Sequence, residues 1–172
     1  MTRYLTMAAL SAAMMLGGCA TTGRAGRPAT STPGETVRVA VGPCFGFCPV
    51  YSVSVAPDGA VHFVGERHTA VLGARTTRVP APVPSALVRD LARYRPATGD
   101  DVPVACTAAV SDTSAYSVTW TDAAGRKTVA RVQDACPGGP GQGLVRLLRA
   151  LPSRLGIADW TKQVTRPGVS RG

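Results

Sequence analysis

Cys44 and Cys48 flank Phe45-Gly46-Phe47, and they are the side chains of this 172-residue chain best equipped for chemistry. Two soft thiolates joined by a histidine would suit Cu(I), and His62 and His68 follow in the sequence. The same pair would run thiol–disulfide exchange if one thiol were acidified, as a helix N-terminus does. Here Pro49 leads instead into Tyr51, Val53 and Val55, which alternate as a strand does. A structural disulfide is therefore the favoured use of the pair. Copper or redox chemistry through Cys44, Cys48, His62 and His68 is the alternative. Cys106 and Cys136 flank a second hairpin pattern, and four cysteines allow three connectivities. The expected pairs are Cys44–Cys48 and Cys106–Cys136. Gly46 lets the first loop fold back, and the second pair brackets a hairpin whose ends must lie close. On the chain-entropy estimate the longer loop contributes about 3.5 kcal/mol and the local loop about 2 kcal/mol. A crossed pairing would instead pin the cysteine element against the second hairpin.

The remaining residues offer no catalytic set. GxSxG, HExxH and paired carboxylates are missing from the sequence. His62 and His68 lie six apart with Glu66 as the only nearby acid. The run Pro137–Gly143 resembles a phosphate cradle only superficially. It lacks the Lys-Ser/Thr of a P-loop, and its two prolines remove backbone donors, so it reads as a loop. Asp112 is placed to brace a turn. Phe45 and Phe47, on a glycine-centred loop, are either a binding feature or a hydrophobic plug over one end of the sheet. No cofactor is expected on the favoured reading, and copper on the alternative.

Residues 44–51, Cys-Phe-Gly-Phe-Cys-Pro-Val-Tyr, resemble the CFGxCPxY element of an uncharacterised bacterial domain family often found on envelope lipoproteins. The likeness is specific at those residues and diffuse over roughly 36–160. It implies an envelope location and no known activity. CxxxCP is also similar to the spacing in copper-chaperone and thiol-oxidoreductase proteins with thioredoxin-like folds, but there the cysteines open a helix and a parallel βαβ pattern follows.

The N-terminus reads as an address. Arg3 precedes an apolar run from Leu5 to Leu16, too short to span a bilayer core, so residues 1–18 are expected to be a signal peptide. Leu16-Gly17-Gly18-Cys19 resembles a bacterial lipobox, which would make Cys19 the lipidated first residue of the mature chain. Several acyl chains, each burying methylenes at about 0.8 kcal/mol apiece, hold a protein firmly at a membrane. Ala20 stands where such lipoproteins retained in the inner membrane tend to carry Asp, which favours the outer membrane, facing the periplasm. Residues 19–35, rich in Thr, Gly and Pro, are expected to be a flexible tether. Export also suits an even set of cysteines in an oxidising compartment.

The formal charge of +9 is carried almost wholly by scattered arginines. A nucleic-acid module would show a basic stripe with interleaved aromatics, so nucleic acid is not an expected partner. The expected partners are the membrane, through the anchor, and another envelope protein or a cell-wall polymer.

Alternating Val37, Val39 and Val41 predict a first strand. Pro57-Asp58-Gly59 predicts a type I turn with a glycine bulge between strands 50–56 and 60–66, pairing Val55 with Val61, Val53 with Phe63 and Tyr51 with Gly65. A short strand is expected within 68–79, a helix from Pro84 to Arg95, a polar loop over 96–112, and a second hairpin over 115–132. Tyr116-Ser-Val repeats Tyr51-Ser-Val, a pattern that short strands also reach by convergence. A helix is expected over 142–151, with Trp160 packed on the core and a disordered tail over 163–172. The fold class is α+β: an antiparallel sheet of two β-hairpins and an N-terminal strand, two helices on one face, in a single domain over 36–162. The expected function is that of a lipid-anchored envelope protein acting as a non-enzymatic binding or structural module.

Overall fold

The first strand of the chain is the middle strand of its sheet. The computed structural model describes residues 34–108, 110–168 and 171; the expected signal peptide, Cys19 and most of the expected tether lie outside the described residues. β1 (Thr36–Val41) pairs antiparallel with β2 (Val50–Val55) on one side and with β6 (Ala115–Thr121) on the other. β3 (Ala60–Arg67) and β4 (Gly73–Arg78) extend the sheet beyond β2, while β7 (Lys127–Gln133) and β5 (Asp101–Pro103) extend it beyond β6. The order is β4-β3-β2-β1-β6-β7-β5, with β5 alone running parallel to its neighbour. The α+β class holds, but the sheet is mixed rather than wholly antiparallel. The expected loop over 96–112 hid a strand.

The first hairpin forms in the predicted register: Val55 opposite Val61, Val53 opposite Phe63, Tyr51 opposite Gly65. Gly59 sits at φ +86°, and any Cβ there would strike the Val79 carbonyl. The Asp58 carboxylate accepts from the Ala60 N–H at 3.0 Å and from Arg78, and these bonds, that from Ala60 first, hold its pKa below the usual value. The period-2 pattern sends Val53, Val55, Val61 and Phe63 to one face, all buried, and leaves His62 and Val64 exposed on the other. A bulge between Val50 and Tyr51 breaks the pattern where the cysteine element enters β2. Both residues are buried there.

α1 (Pro82–Leu91), continued by a 3-10 turn (Ala92–Tyr94), starts two residues before the expected Pro84. Pro82 takes the first helical position, where a missing N–H costs nothing. α2 (Gly139–Arg154) is longer than expected at both ends, and α3 (Ala158–Thr161) follows. Leu87 and Leu91 of α1 share one buried cluster with Leu144, Leu148 and Leu151 of α2 and with Val39, Val118 and Trp120 of the sheet. Trp160 packs on Phe63 with ring centroids 5.7 Å apart.

Both ends of the folded domain are tied down more than their composition suggests. Glu35, expected in the tether, is buried and accepts a 2.6 Å hydrogen bond from Arg95, whose guanidinium lies 5.7 Å from the Trp120 ring centroid. The folded domain therefore begins at Glu35. Removing one partner of such a buried pair costs about 3–5 kcal/mol. Of the expected disordered tail, residues 163–166 are held: Gln163 bridges Thr69, the Val164 N–H donates to the His68 carbonyl, and Arg166 donates to the Thr69 and Ala70 carbonyls.

Candidate functional site

Each cysteine pair closes with its expected partner. Cys44 bridges Cys48 and Cys106 bridges Cys136, with Cα atoms 5.8 and 5.3 Å apart. The two bridges sit in different surroundings. Cys44–Cys48 rides on the surface, where the Phe45 N–H donates to the Asp112 carbonyl and the Gly42 N–H to Ala115. Cys106–Cys136 lies under the first turn of α2. Gly141 is the only residue type that fits there, because a Cβ would stand 2.5 Å from the Cys136 sulfur and 2.9 Å from that of Cys106. The Gly141 N–H donates to the Ala105 carbonyl at 2.9 Å. The glycine-rich run read as a loop is thus the start of the helix, and its small residues let that helix approach a disulfide.

Phe45 and Phe47 divide the two roles expected of them. Phe45 is 75% exposed. Phe47 is half-buried and meets His68 edge-on, centroids 5.2 Å apart. His68, at φ +56°, is only 2% exposed, and neither ring nitrogen has a hydrogen-bond partner. His62 lies on the open face of the sheet, exposed. The two histidines therefore do not converge on the cysteines. Among the described residues no cluster of three or more His, Cys, Asp or Glu could hold a metal ion. Disulfide closure takes both thiolates away from a soft metal, which weighs against the copper alternative.

The feature that sequence reasoning missed lies just behind the cysteine element. Val41, at the end of β1, pairs with Tyr51 on one side and Tyr116 on the other, so the two Tyr-Ser-Val repeats bring their phenols to one end of the sheet. Asp134, just past β7, is fixed by its N–H donating to the Ser114 carbonyl at 2.7 Å. Arg149 of α2 clamps its carboxylate through Nε at 2.8 Å and Nη2 at 2.9 Å. Cys48, Pro49, Tyr51, Tyr116, Asp134 and Arg149 border a cleft of about 280 Å³, closed on the far side by Pro152 and Thr161. Burial, then the nearby Asp134 charge, pushes the Tyr51 pKa up to about 12, and the same two causes push Tyr116 higher still. The hydrogen bond to Asp134 raises Arg149 as well. Near neutral pH the cleft thus offers neutral phenol donors beside a mutually compensated ion pair. That equips it to hold a polar ligand by hydrogen bonds.

The profile of the domain of unknown function DUF6438 matches residues 35–151. The chain belongs to this family. The match opens on Glu35, the residue paired with Arg95, and spans both disulfides and the Tyr51–Tyr116–Asp134–Arg149 cluster. Beyond it, Leu155 and Ile157 complete the core of this DUF6438 domain. None of the curated proteins compared with the chain matches it.

Proposed function

We propose that this DUF6438 protein is a lipid-anchored, non-enzymatic binding module of the cell envelope, held through Cys19 at the outer membrane and facing the periplasm. The lipobox-like Leu16-Gly17-Gly18-Cys19 and the four cysteines closed into two disulfides support export. The observation that carries the binding reading is the juxtaposition at the cysteine element: a braced loop presents Phe45 to solvent beside a cleft of neutral donors. An exposed aromatic next to a few fixed polar groups is how small recognition sites combine affinity with orientation. The ligand is a polar segment of another envelope protein or of a cell-wall polymer.

Photo-crosslinking in intact cells tests this, with the photoreactive residue at position 45 and, as control, at exposed Ala123 in the β6–β7 turn. A discrete adduct at 45 that disappears with Arg149→Ala is expected. Equal labelling at both positions, or none at 45, overturns the binding reading. Separately, Cys19→Ser should abolish incorporation of labelled palmitate; a variant still processed and membrane-bound like the wild type overturns the anchor.

A further inference from the structure

We propose that the helical layer is the membrane-facing surface of the tethered domain and docks on anionic lipid headgroups through Arg89, Arg93 and Arg146. α1, its 3-10 extension and α2 carry five arginines and a single acid, Asp90. Arg154 is paired with Asp90 and Arg149 with Asp134. Arg89, Arg93 and Arg146 are exposed and have no carboxylate partner among the described residues. Arg89, Arg93 and Asp90, the last paired with Arg154, border a shallow groove of about 550 Å³ between the helices, floored by Ala92 and Leu147. The opposite face of the sheet differs. There Arg131 is paired with Asp101 and Arg78 with Asp58; Arg38, which donates to the Ser52 hydroxyl at 2.9 Å, and exposed Lys127 have no carboxylate partner among the described residues, and exposed Glu66 offsets part of their charge. The helical side carries the larger set of uncompensated guanidinium groups, three with no unpaired acid, which makes it the side more strongly attracted to phosphate.

The point of attachment favours the same side. Gly34 and Glu35, where the tether enters the fold, line one recess with Ser85, Val88 and Arg89 of α1. The Glu35–Arg95 pair fixes that entry beside the end of the helix. An anchor that leaves the fold beside α1 holds the helical layer near the bilayer, so the orientation rests on the anchoring reading; the headgroup contact does not.

The experiment uses the unlipidated chain from residue 20, which contains every described element. Its partitioning is measured on vesicles of phosphatidylglycerol with phosphatidylcholine and on phosphatidylcholine alone. The variant Arg89→Gln/Arg93→Gln/Arg146→Gln is compared with Arg38→Gln/Lys127→Gln/Arg131→Gln, which removes the same charge from the open sheet face. Three arginines near an anionic surface predict a loss of about a hundredfold for the first variant and a much smaller loss for the second. Equal losses would reduce the effect to net charge and overturn the proposal, as would equal binding to both vesicle types, or competition by inorganic phosphate alone that matches the effect of the vesicles. Because no acyl chain is present, failure here leaves the palmitate result at Cys19 independent.

Discussion

The two disulfides invite comparison because they use the same bond for opposite purposes. Cys106–Cys136 joins residues 30 apart, brackets the second hairpin, and is packed so closely under α2 that only a glycine clears it. Cys44–Cys48 joins residues 4 apart on a surface loop that ends with one aromatic in solvent and another against His68. The first restricts the unfolded chain and sets a helix in place. The second shapes a small piece of surface next to the Tyr51–Tyr116 cleft. What separates them is loop length and burial, and both can be varied.

The largest effect is expected from Cys106→Ser/Cys136→Ser, which should lower stability by about 3.5 kcal/mol in urea denaturation. A loss no greater than that from opening the local loop would reverse the comparison. Gly141→Ala comes next: a methyl forced between two sulfurs should cost about 1–3 kcal/mol, part of it recovered when both cysteines are made alanine. An unchanged midpoint would mean the helix does not bear on the bridge. Cys44→Ser/Cys48→Ser should cost about 2 kcal/mol and abolish crosslinking from position 45, separating a modest structural role from a large one in recognition. Phe45→Ala is the smallest, within about 0.5 kcal/mol of wild type, as exposed substitutions generally are. Its effect should fall on ligand capture alone, and a marked destabilisation would make Phe45 a plug after all.

How much of this was legible depended on how local the cause was. The first hairpin could be read because Pro57-Asp58-Gly59 and the alternation of Val53, Val55, Val61 and Phe63 impose one register independently. β5 could not: it is three exposed residues including Pro103, paired in parallel with β7, and it has no apolar alternation to betray it. The α2 start was hidden because Gly139, Gly141 and Gly143 are poor helix formers. Gly141 is there for the disulfide, and Gly143 for Tyr94, whose hydroxyl a Cβ would meet at 2.5 Å. Glu35 looked like tether because its partner lies 60 residues away. The cleft was half visible. The repeated Tyr-Ser-Val was seen, but its meaning needs β1 to lie between β2 and β6, and nothing in the sequence places Asp134 and Arg149 beside the two tyrosines.

The central position of β1 has a mechanical consequence. The proposed tether joins the fold at Glu35, just before β1, and the cleft opens at Val41, so anchor and ligand would grip opposite ends of one strand, about 17 Å apart at strand rise. A pull between them runs along β1 and loads the ladders to β2 and β6 together, sharing the force among many hydrogen bonds instead of peeling them one by one from an edge. Single-molecule stretching between residues 34 and 116, which shears the β1–β6 ladder, should therefore require higher force than stretching between residues 34 and 121, which unzips the same ladder from one end. With the proposed anchor at Cys19, a domain built this way would carry tension between the membrane and whatever occupies its cleft.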